Sequence, residues 1–356
     1  MKIVTVVGAR PQFVKAAVFS REIRKHEGFE EILVHTGQHF DESMSEVFFN
    51  EMEIPTPKYN LEINSLGHGA MTGRMLEGIE EIIIKEKPDV LLVYGDTNST
   101  LAGALAAKKL HIKVAHVEAG LRSFNMRMPE EVNRILTDRI SDILFCPTST
   151  AINNLGKEGY DNIDCRIEQC GDVMQDAAYF YAKKSEEKSR VIAKYGLKNF
   201  VLCTLHRAEN TDDLSRLTEI IDSLNIINKE KEVVLPIHPR TRKIIEQNNL
   251  KVEFTVIPPV GYFDMIELLK NCSLVMTDSG GLQKEAFFFG KFCITMRDQT
   301  EWVELVENGF NIITGASKSK ILNAYKDSIN KSANFSIDLY GGGKAAQNIV
   351  KALKTL

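Results

Sequence analysis

The sequence predicts an α/β protein made of two Rossmann-like, doubly wound domains. Short apolar runs rich in β-branched residues alternate with longer amphipathic segments, which is the pattern of parallel sheets covered by helices. The alternation occurs in two successive series, and a chain of 356 residues is long enough for two separate cores. We therefore expect one doubly wound sheet in each half of the chain.

The first half contains a series of predicted strands at Ile3–Gly8, Glu31–Thr36, Val90–Gly95, Val114–Glu118, Ile143–Cys146 and Arg166–Gly171. Apolar residues recur between them with a helical period and predict helices over Gln12–Lys25, Thr72–Glu86, Ser99–Lys109 and Glu131–Ser141. A helix between successive strands indicates a parallel sheet.

The second half repeats the pattern with predicted strands at Phe200–Leu205, Val233–Ile237, Phe254–Ile257, Leu274–Thr277, Phe292–Thr295 and Asn311–Thr314. We place the boundary between residues 171 and 172, before a predicted helix at Val173–Lys184, so the domains are 1–171 and 172–344. The charged segment Ser185–Lys194 predicts a solvated surface stretch. The final helix, Ala345–Leu356, is expected to pack back on the first domain.

Composition excludes several classes of protein. A net charge of −4 gives no general attraction to nucleic acid or to an anionic membrane. The six cysteines form no C-x-x-C pair and lie mostly in apolar runs, which indicates reduced core residues in a cytoplasmic protein without a zinc site. The apolar start of the chain predicts a strand rather than a signal peptide, and no run is long enough to cross a bilayer.

Two acids stand at the ends of predicted buried strands. Asp96 ends the apolar run 88–96, and Glu118 ends the run 113–118. Acids at the carboxyl ends of parallel strands point into the crevice where α/β proteins act on ligands. Crowded carboxylates repel one another and raise at least one pKa, so proton transfer near neutral pH becomes possible. The pattern indicates an enzyme that moves protons on its substrate.

Simpler structural roles account for some of these acids when each is taken alone. Asp96 is placed to cap the helix that follows it. Glu130 and Glu131, after Pro129, suit the first turn of a helix and its dipole. Glu118 lies between an apolar strand and a glycine and has no structural explanation of equal quality.

Two segments have the form of anion sites. Gly8–Lys15 passes from a strand into a helix with Arg10 close by, and a phosphate site and a plain turn fit this segment about equally well. It lacks the G-x-G-x-x-G of a dinucleotide fold, so we do not predict NAD. In Met276–Ala286, Ser279-Gly280-Gly281 opens a helix that contains Glu285, an order that favours a nucleotide diphosphate over a bare turn with a solvated acid.

Histidines also end predicted strands. His206 and His238 follow neighbouring strands of the second series, and there they can donate to a phosphate or act as acids. Each alone is more often structural, but the pair favours ligand contact. His39 has a weaker claim, as a turn residue that at most lines a pocket, and His116 is expected to pack inside its strand.

These segments together resemble the non-hydrolysing UDP-N-acetylglucosamine 2-epimerases. The matching segments are GARPQFVK (8–15), GQH (37–39), GDTNSTLA (95–102), HVEAGLRS (116–123), PEEVNR (129–134), HR (206–207), HPR (238–240) and DSGGLQKEA (278–286). The resemblance covers nearly the whole chain in order. It implies two Rossmann-like domains facing a deep cleft in a GT-B-like architecture, and a homodimer.

The resemblance also implies a reaction and its residues. UDP is eliminated across C1–C2 of a UDP-2-acetamido sugar to give a 2-acetamidoglucal, and it adds back with the proton on the other face, without nicotinamide or metal. The acid/base groups implied are Asp96, Glu118 and Glu130, with His206 assisting at the diphosphate. The substrate-binding residues implied are Arg10, Lys15, Arg134, His238, Ser279, Gly280, Gly281, Glu285 and Arg297.

Some positions depart from the family pattern. Lys284 stands where the family has Glu, and Trp302 and Val303 stand where Arg and Pro are usual. Leu66 replaces a glutamine. These forms are more similar to relatives that act on modified sugars, so two substrates are predicted: UDP-N-acetylglucosamine by default, or UDP-2,3-diacetamido-2,3-dideoxyglucuronic acid or a UDP-N-acetyl-fucosamine-type sugar as the alternative.

Three other functions remain open at this point. A hydrolysing epimerase would lose UDP when water captures the glucal. A GT-B glycosyltransferase would have an acceptor site and fewer carboxylates. A UDP-sugar sensor without chemistry requires that Glu118→Gln leaves function unchanged, and the presence of Asp96, Glu118 and Glu130 argues against it.

Overall fold

The computed structural model describes residues 1–38 and 53–356, apart from the side chain of Arg10. His39 lies outside the described residues. The chain divides into two compact units, Met1–Ala177 with Asp338–Leu356, and Ala178–Ile337. The change from the first unit to the second falls inside a helix, after the boundary that the sequence predicts.

The first unit contains a parallel sheet with the strand order β3-β2-β1-β4-β5-β6-β7. Its strands are β1 Lys2–Val7, β2 Glu30–His35, β3 Tyr59–Asn60, β4 Val90–Tyr94, β5 Lys113–Val117, β6 Ile143–Cys146 and β7 Arg166–Gln169. The winding direction reverses between β1 and β4, and such a switch point opens a crevice at the carboxyl ends of the strands. Only β3 was not predicted, because two residues form no apolar run.

The helices of the first unit follow the strands closely. They are α1 Arg10–Ile23, α2 His68–Glu86, α3 Asn98–Lys109, α4 Pro129–Ile140, α5 Ser149–Lys157, α6 Val173–Lys188, which continues into the second unit, and the C-terminal helix, numbered α15 in chain order, Ala345–Leu353. Helix α15 packs against α1. Small residues bring α3 close to the sheet, since an added Cβ at Gly103 would lie 3.2 Å from a methyl of Val93.

The second unit contains another parallel sheet, in the order β10-β9-β8-β11-β12-β13. Its strands are β8 Val201–Thr204, β9 Val233–Pro236, β10 Thr255–Ile257, β11 Leu274–Thr277, β12 Cys293–Thr295 and β13 Asn311–Ile313. Its helices are α7 Val191–Tyr195, α8 Ala208–Thr211, α9 Leu214–Asn228, α10 Pro239–Gln247, α11 Tyr262–Asn271, α12 Gly280–Phe288, α13 Val303–Glu307 and α14 Lys318–Ser328. The predicted fold class, two Rossmann-like α/β domains, is confirmed.

The prediction of a solvated stretch at Ser185–Lys194 is wrong in part. Helix α6 continues to Lys188, and the Ser185 hydroxyl is buried and donates to Glu267 Oε1 at 2.6 Å. Ser189 and Val191 are also buried. The charged residues of this segment lie on the outer side of helical turns whose other side packs inward.

The pairing and burial of the cysteines and the apolar character of the helices bear on the predictions made from composition. All six cysteines are unpaired and five are buried, and burial raises the pKa of Cys272 to about 12. Over residues 1–38 and 53–356, no helix combines the length and apolar character needed to cross a bilayer.

Candidate active site

The two predicted strand-end acids lie side by side in the first unit. Strands β4 and β5 pair in parallel, with Tyr94 opposite Val117. Asp96 follows β4 after one glycine, and Glu118 follows β5 directly. Both acids therefore stand at the same edge of the sheet, next to the switch point between β1 and β4.

Glu118 forms a buried ion pair with Lys15 of helix α1. Its backbone has a φ of 71°, in the left-handed region that non-glycine residues seldom adopt. Gly95 leaves room for the pair, because an added Cβ there would lie 3.3 Å from Glu118 Oε2 and 3.4 Å from Lys15 Nζ. The resemblance predicted contact between Lys15 and the leaving group, and the structure places this lysine against a carboxylate.

Asp96 forms an ion pair with Arg134 of helix α4. The structural alternative for Asp96 is wrong, because Thr97 is the N-cap of α3 and its side chain accepts from the Thr100 backbone N–H. The Asp96 side chain is 33 % exposed, whereas that of Arg134 is 8 % exposed. The carboxylate is thus oriented by a buried cation and still reaches solvent.

Glu131 is a buried acid that the sequence reasoning did not separate from its neighbour Glu130. It is fully buried, and its Oε2 lies 3.0 Å from Arg134 Nη1. It also accepts from the backbone N–H groups of Ser123 and Phe124, at 3.0 and 2.8 Å. Glu131 therefore positions both Arg134 and the loop after Glu118. Adjacent residues of a helix point about 100° apart, so only one of the two acids faces inward.

A pocket of about 210 Å³ brings three of the predicted residues of the first unit together. Lys15, Asp96 and Glu130 line it, together with residues from the first turns or caps of α1, α2, α3 and α4: Ala9, Pro11, Gln12, His68, Thr97, Asn98 and Pro129. Helix N-termini carry partial positive charge and bind anions. The pocket thus combines two carboxylates with an environment that attracts a negatively charged ligand.

Gln12 fixes the turn that leads into this pocket. Its Oε1 accepts from the N–H groups of Gly8 and Ala9 at 2.8 and 3.0 Å, and its Nε2 donates to the Tyr94 carbonyl at 2.7 Å. This buried amide ties the β1–α1 turn to the end of β4. Sequence reasoning missed Gln12 because a helical glutamine is usually a surface residue.

In the second unit, predicted residues follow four neighbouring strands. His238 follows β9, His206 follows β8, Ser279 follows β11 and Arg297 follows β12, in the order of the sheet. All these strands are parallel, so the side chains start from one edge. The edge has the form of a nucleotide site of a doubly wound domain.

Asp278, a buried acid not predicted as a site residue, orients His206. It accepts from the backbone N–H groups of His206 and Arg207 at 3.0 and 2.9 Å. The His206 Nδ1 lies 3.3 Å from Asp278 Oδ1. Burial lowers the pKa of His206, although the Asp278 charge opposes this shift. A neutral imidazole with Nδ1 facing Asp278 presents Nε2 to a ligand.

The turn at Ser279-Gly280-Gly281 starts helix α12. Ser279 is the N-cap residue, but its side chain makes no capping hydrogen bond. An added Cβ at Gly280 would lie 2.5 Å from Glu301 Oε1, so a side chain at this position would displace the Glu301 carboxylate. At Gly281 an added Cβ would meet no described atom within 4 Å.

The remaining predicted residues of the second unit have identified contacts. Glu285 is buried and accepts from the Tyr262 hydroxyl at 3.3 Å, so the alternative of a solvated acid is wrong. His238 caps α10, with Nδ1 accepting from Arg240 N–H at 3.2 Å. Arg297 is buried and lies 3.0 Å from Glu301 Oε2.

Two of the departures from the family pattern, Lys284 and Trp302, contact each other. Lys284 Nζ lies 3.9 Å from the centroid of the Trp302 ring, a cation–π contact between buried side chains. The Trp302 Nε1–H donates to the Gly280 carbonyl at 3.0 Å. The pair therefore packs directly behind the first residue of α12.

Across the described residues, no group of three or more His, Cys, Asp or Glu side chains is arranged to hold a metal ion. His116 has hydrogen-bond partners inside the protein. His116 is fully buried between Asp138 and the Gly95 carbonyl, which confirms the prediction that it packs inside the protein.

Comparison with known proteins places this arrangement in one family. Residues 21–354 match the family model described as UDP-N-acetylglucosamine 2-epimerase. The chain is 57% identical, over 100% of both chains, to a UDP-2,3-diacetamido-2,3-dideoxy-D-glucuronate 2-epimerase of Pseudomonas aeruginosa. It is 51% identical, again over 100% of both, to a UDP-N-acetylglucosamine 2-epimerase homolog of Methanococcus maripaludis.

A solved structure gives the same result. The UDP-GlcNAc 2-epimerase of Methanocaldococcus jannaschii, crystallised with UDP-GlcNAc and UDP, superimposes with a TM-score of 0.91 at 43% identity over 100% of both chains. Two parallel sheets, strand-end carboxylates and a family match over nearly the whole sequence agree. This chain belongs to the UDP-N-acetylglucosamine 2-epimerase family.

Proposed function

We propose that this protein inverts C2 of a UDP-2-acetamido sugar by eliminating UDP and adding it back. The observation that supports this most directly is the pocket shared by Asp96, Glu130 and Lys15, with Glu118 paired to the same lysine. Elimination and re-addition require one group to remove a proton and another to return it on the opposite face. The pocket provides carboxylates on separate elements, at the end of β4 and the start of α4.

In the proposed reaction a carboxylate removes the proton from C2 as the C1–O bond breaks. The electrons of the C2–H bond form the C1=C2 double bond of the glucal, and the C1–O electron pair leaves with UDP. Re-addition of UDP at C1 and protonation of C2 from the other face give the epimer. Arg134, next to Asp96, and the helix N-termini at the pocket stabilise the negative charge that develops.

We propose that residues of the second unit bind UDP. The backbone N–H groups at Gly280 and Gly281 start a nine-residue helix, which favours a diphosphate. His206, oriented by Asp278, would face the diphosphate with Nε2 and donate to it once the ring is protonated. Glu285, His238 and Arg297 are proposed ribose and phosphate contacts, and Arg10 is a further proposed contact of the leaving group.

The sugar is the finer part of the proposal. UDP-N-acetylglucosamine, converted to UDP-N-acetylmannosamine, is the default substrate. UDP-2,3-diacetamido-2,3-dideoxyglucuronic acid is the second candidate, favoured by the 57% identity to a relative with that name and by the Lys284–Trp302 contact. We also propose that the protein works in the cytoplasm as a homodimer, supplying a precursor for surface polysaccharide.

Proton NMR in D₂O without added cofactor tests the proposal. Each UDP-sugar is incubated with the purified protein, and deuterium at C2 is followed together with free UDP. Deuterium exchange at C2, with the epimer appearing and UDP still attached to the sugar, supports the proposed reaction and identifies the sugar. Accumulation of free sugar and UDP would indicate the hydrolysing reaction instead. Absence of exchange with both sugars would refute the epimerase function.

A further inference from the structure

A buried carboxylate, Asp138 of helix α4, lies outside the pocket and joins this helix to the segment 116–122 around Glu118. Its Oδ2 accepts from the Gly120 N–H at 3.1 Å and from Arg122 Nη1 at 2.6 Å. Its Oδ1 lies 2.7 Å from His116 Nδ1. Both Asp138 and His116 have no exposed surface, and neither lines the pocket.

His116 continues the contact to a third segment. Its Nε2 lies 2.7 Å from the Gly95 carbonyl, which can only accept, so Nε2 carries a proton. Burial acts to raise the pKa of Asp138, but the hydrogen bonds and charges of His116 and Arg122 lower it, so Asp138 is a carboxylate. The His116 ring therefore lies between two fixed oxygen atoms, one of the Asp138 carboxylate and one of the Gly95 carbonyl.

The three contacted segments are those that bear the proposed acid/base groups. Gly95 immediately precedes Asp96. Gly120 follows Glu118 by two residues and has a φ of 77°. Asp138 itself is on α4, the helix that carries Glu130 in its first turn and also contains Arg134. A displacement of any of these contacts moves one carboxylate relative to the others.

The charges of the cluster are balanced, which allows it to be buried. Arg122 donates from Nε and Nη2 to the two oxygens of Glu158, at 2.7 and 2.8 Å, and from Nη1 to Asp138. The buried Asp138 carboxylate is therefore paired with the buried Arg122 cation, and it accepts several hydrogen bonds. Such fully bonded networks specify one arrangement of the elements that they join.

We infer that Asp138 and His116 are positioning residues that set the spacing of Asp96, Glu118 and Glu130 for the two half-reactions. This rests on the proposed epimerase function. The substrate does not touch either residue. They affect the rate of the chemical steps and the delay between the first and the second proton transfer.

The test compares D138N with wild type in the D₂O exchange assay. We expect kcat to fall about 100-fold, because misplacement by about 1 Å has effects of that size. KM is expected to stay within about twofold, since binding contacts are unchanged. More UDP should be released per molecule of epimer, because a displaced acid returns the proton too slowly to trap the glucal. A merely structural role would not change this ratio.

Glu86 provides a matched control in the same unit. It is also a buried acid with two cations, Lys2 at 2.7 Å and Lys58 at 2.6 Å, and it does not line the pocket. E86Q should lower stability and leave kcat and the UDP ratio unchanged. If D138N does not fold, H116Q takes its place in the same assay. H116Q keeps an amide donor for the Gly95 carbonyl, so it should retain more activity than H116L.

Two results would overturn the inference. One is a D138N or H116Q enzyme with wild-type kcat and no increase in released UDP. The other is a loss of kcat that E86Q reproduces at equal loss of stability. Wild-type protein that exchanges no deuterium with either sugar would instead refute the proposed function, so the two failures are distinguishable.

Discussion

The ion pair between Lys15 and Glu118 makes a quantitative prediction. The side chains are 10% and 7% exposed, so neither charge is well solvated. Lys15→Met keeps the length of the side chain and removes the cation beside a buried carboxylate. Breaking a buried pair from one side costs about 3–5 kcal/mol. This is a large part of the roughly 5–15 kcal/mol by which domains are stable, so the variant should fold but unfold at lower denaturant.

The catalytic activity of the Lys15→Met variant should fall together with its stability. Glu118 is held in a left-handed backbone conformation beside Lys15, and removing the cation takes away a partner that orients its carboxylate. We expect kcat for C2 exchange to drop by about 100-fold or more, which is the usual range for a displaced acid or base.

Lys25 is the matched control, just beyond the same helix. Its side chain is 65% exposed and pairs with Glu22 at 2.7 Å. Lys25→Met should change stability by less than about 0.5 kcal/mol and leave exchange unaffected, as for exposed pairs in general. The reasoning is refuted if Lys15→Met is as stable as Lys25→Met, or if its exchange rate equals that of wild type.

Further predictions concern other sites. Lys284→Met and Trp302→Phe should each weaken UDP binding measured by calorimetry, and a double-mutant cycle in denaturant should give a coupling of about 1–2 kcal/mol. Gly120→Ala should lower the free energy of unfolding by about 2–4 kcal/mol, because φ is 77° and the new Cβ would lie 2.5 Å from the Ala151 carbonyl oxygen. Burial raises the pKa of Asp176 to about 6, so the folded state binds the proton more tightly and stability should fall as pH rises from about 4 to 6; thermal unfolding of Asp176→Asn should lack this slope. These expectations would be contradicted if Lys284→Met and Trp302→Phe bound UDP as tightly as wild type, or if Gly120→Ala were as stable as wild type. An Asp176→Asn variant whose stability changed with pH as that of wild type does would also contradict them.

Much of the fold was predictable because each buried strand is a continuous apolar run. The run at 143–146 and the run at 274–277 have the predicted bounds, and the others differ by one or two residues at their ends. Strand β3 was not predictable, since Tyr59–Asn60 is too short to form a pattern and exists through pairing with β2. Helix α6 extends through a charged segment because its inner side packs on Glu267 and its neighbours.

The sequence by itself determined the fold class and the ends of the strands where acids and histidines lie, because both follow from local hydrophobic patterns. The tertiary structure alone decided which of these groups meet. Glu118 pairs with Lys15 across 103 residues, and Asp96 pairs with Arg134 rather than capping its own helix. Such pairings depend on the order of strands in the sheet and on the direction each side chain takes from its helix. Neighbouring residues such as Glu130 and Glu131 therefore reach different environments that no local pattern distinguishes.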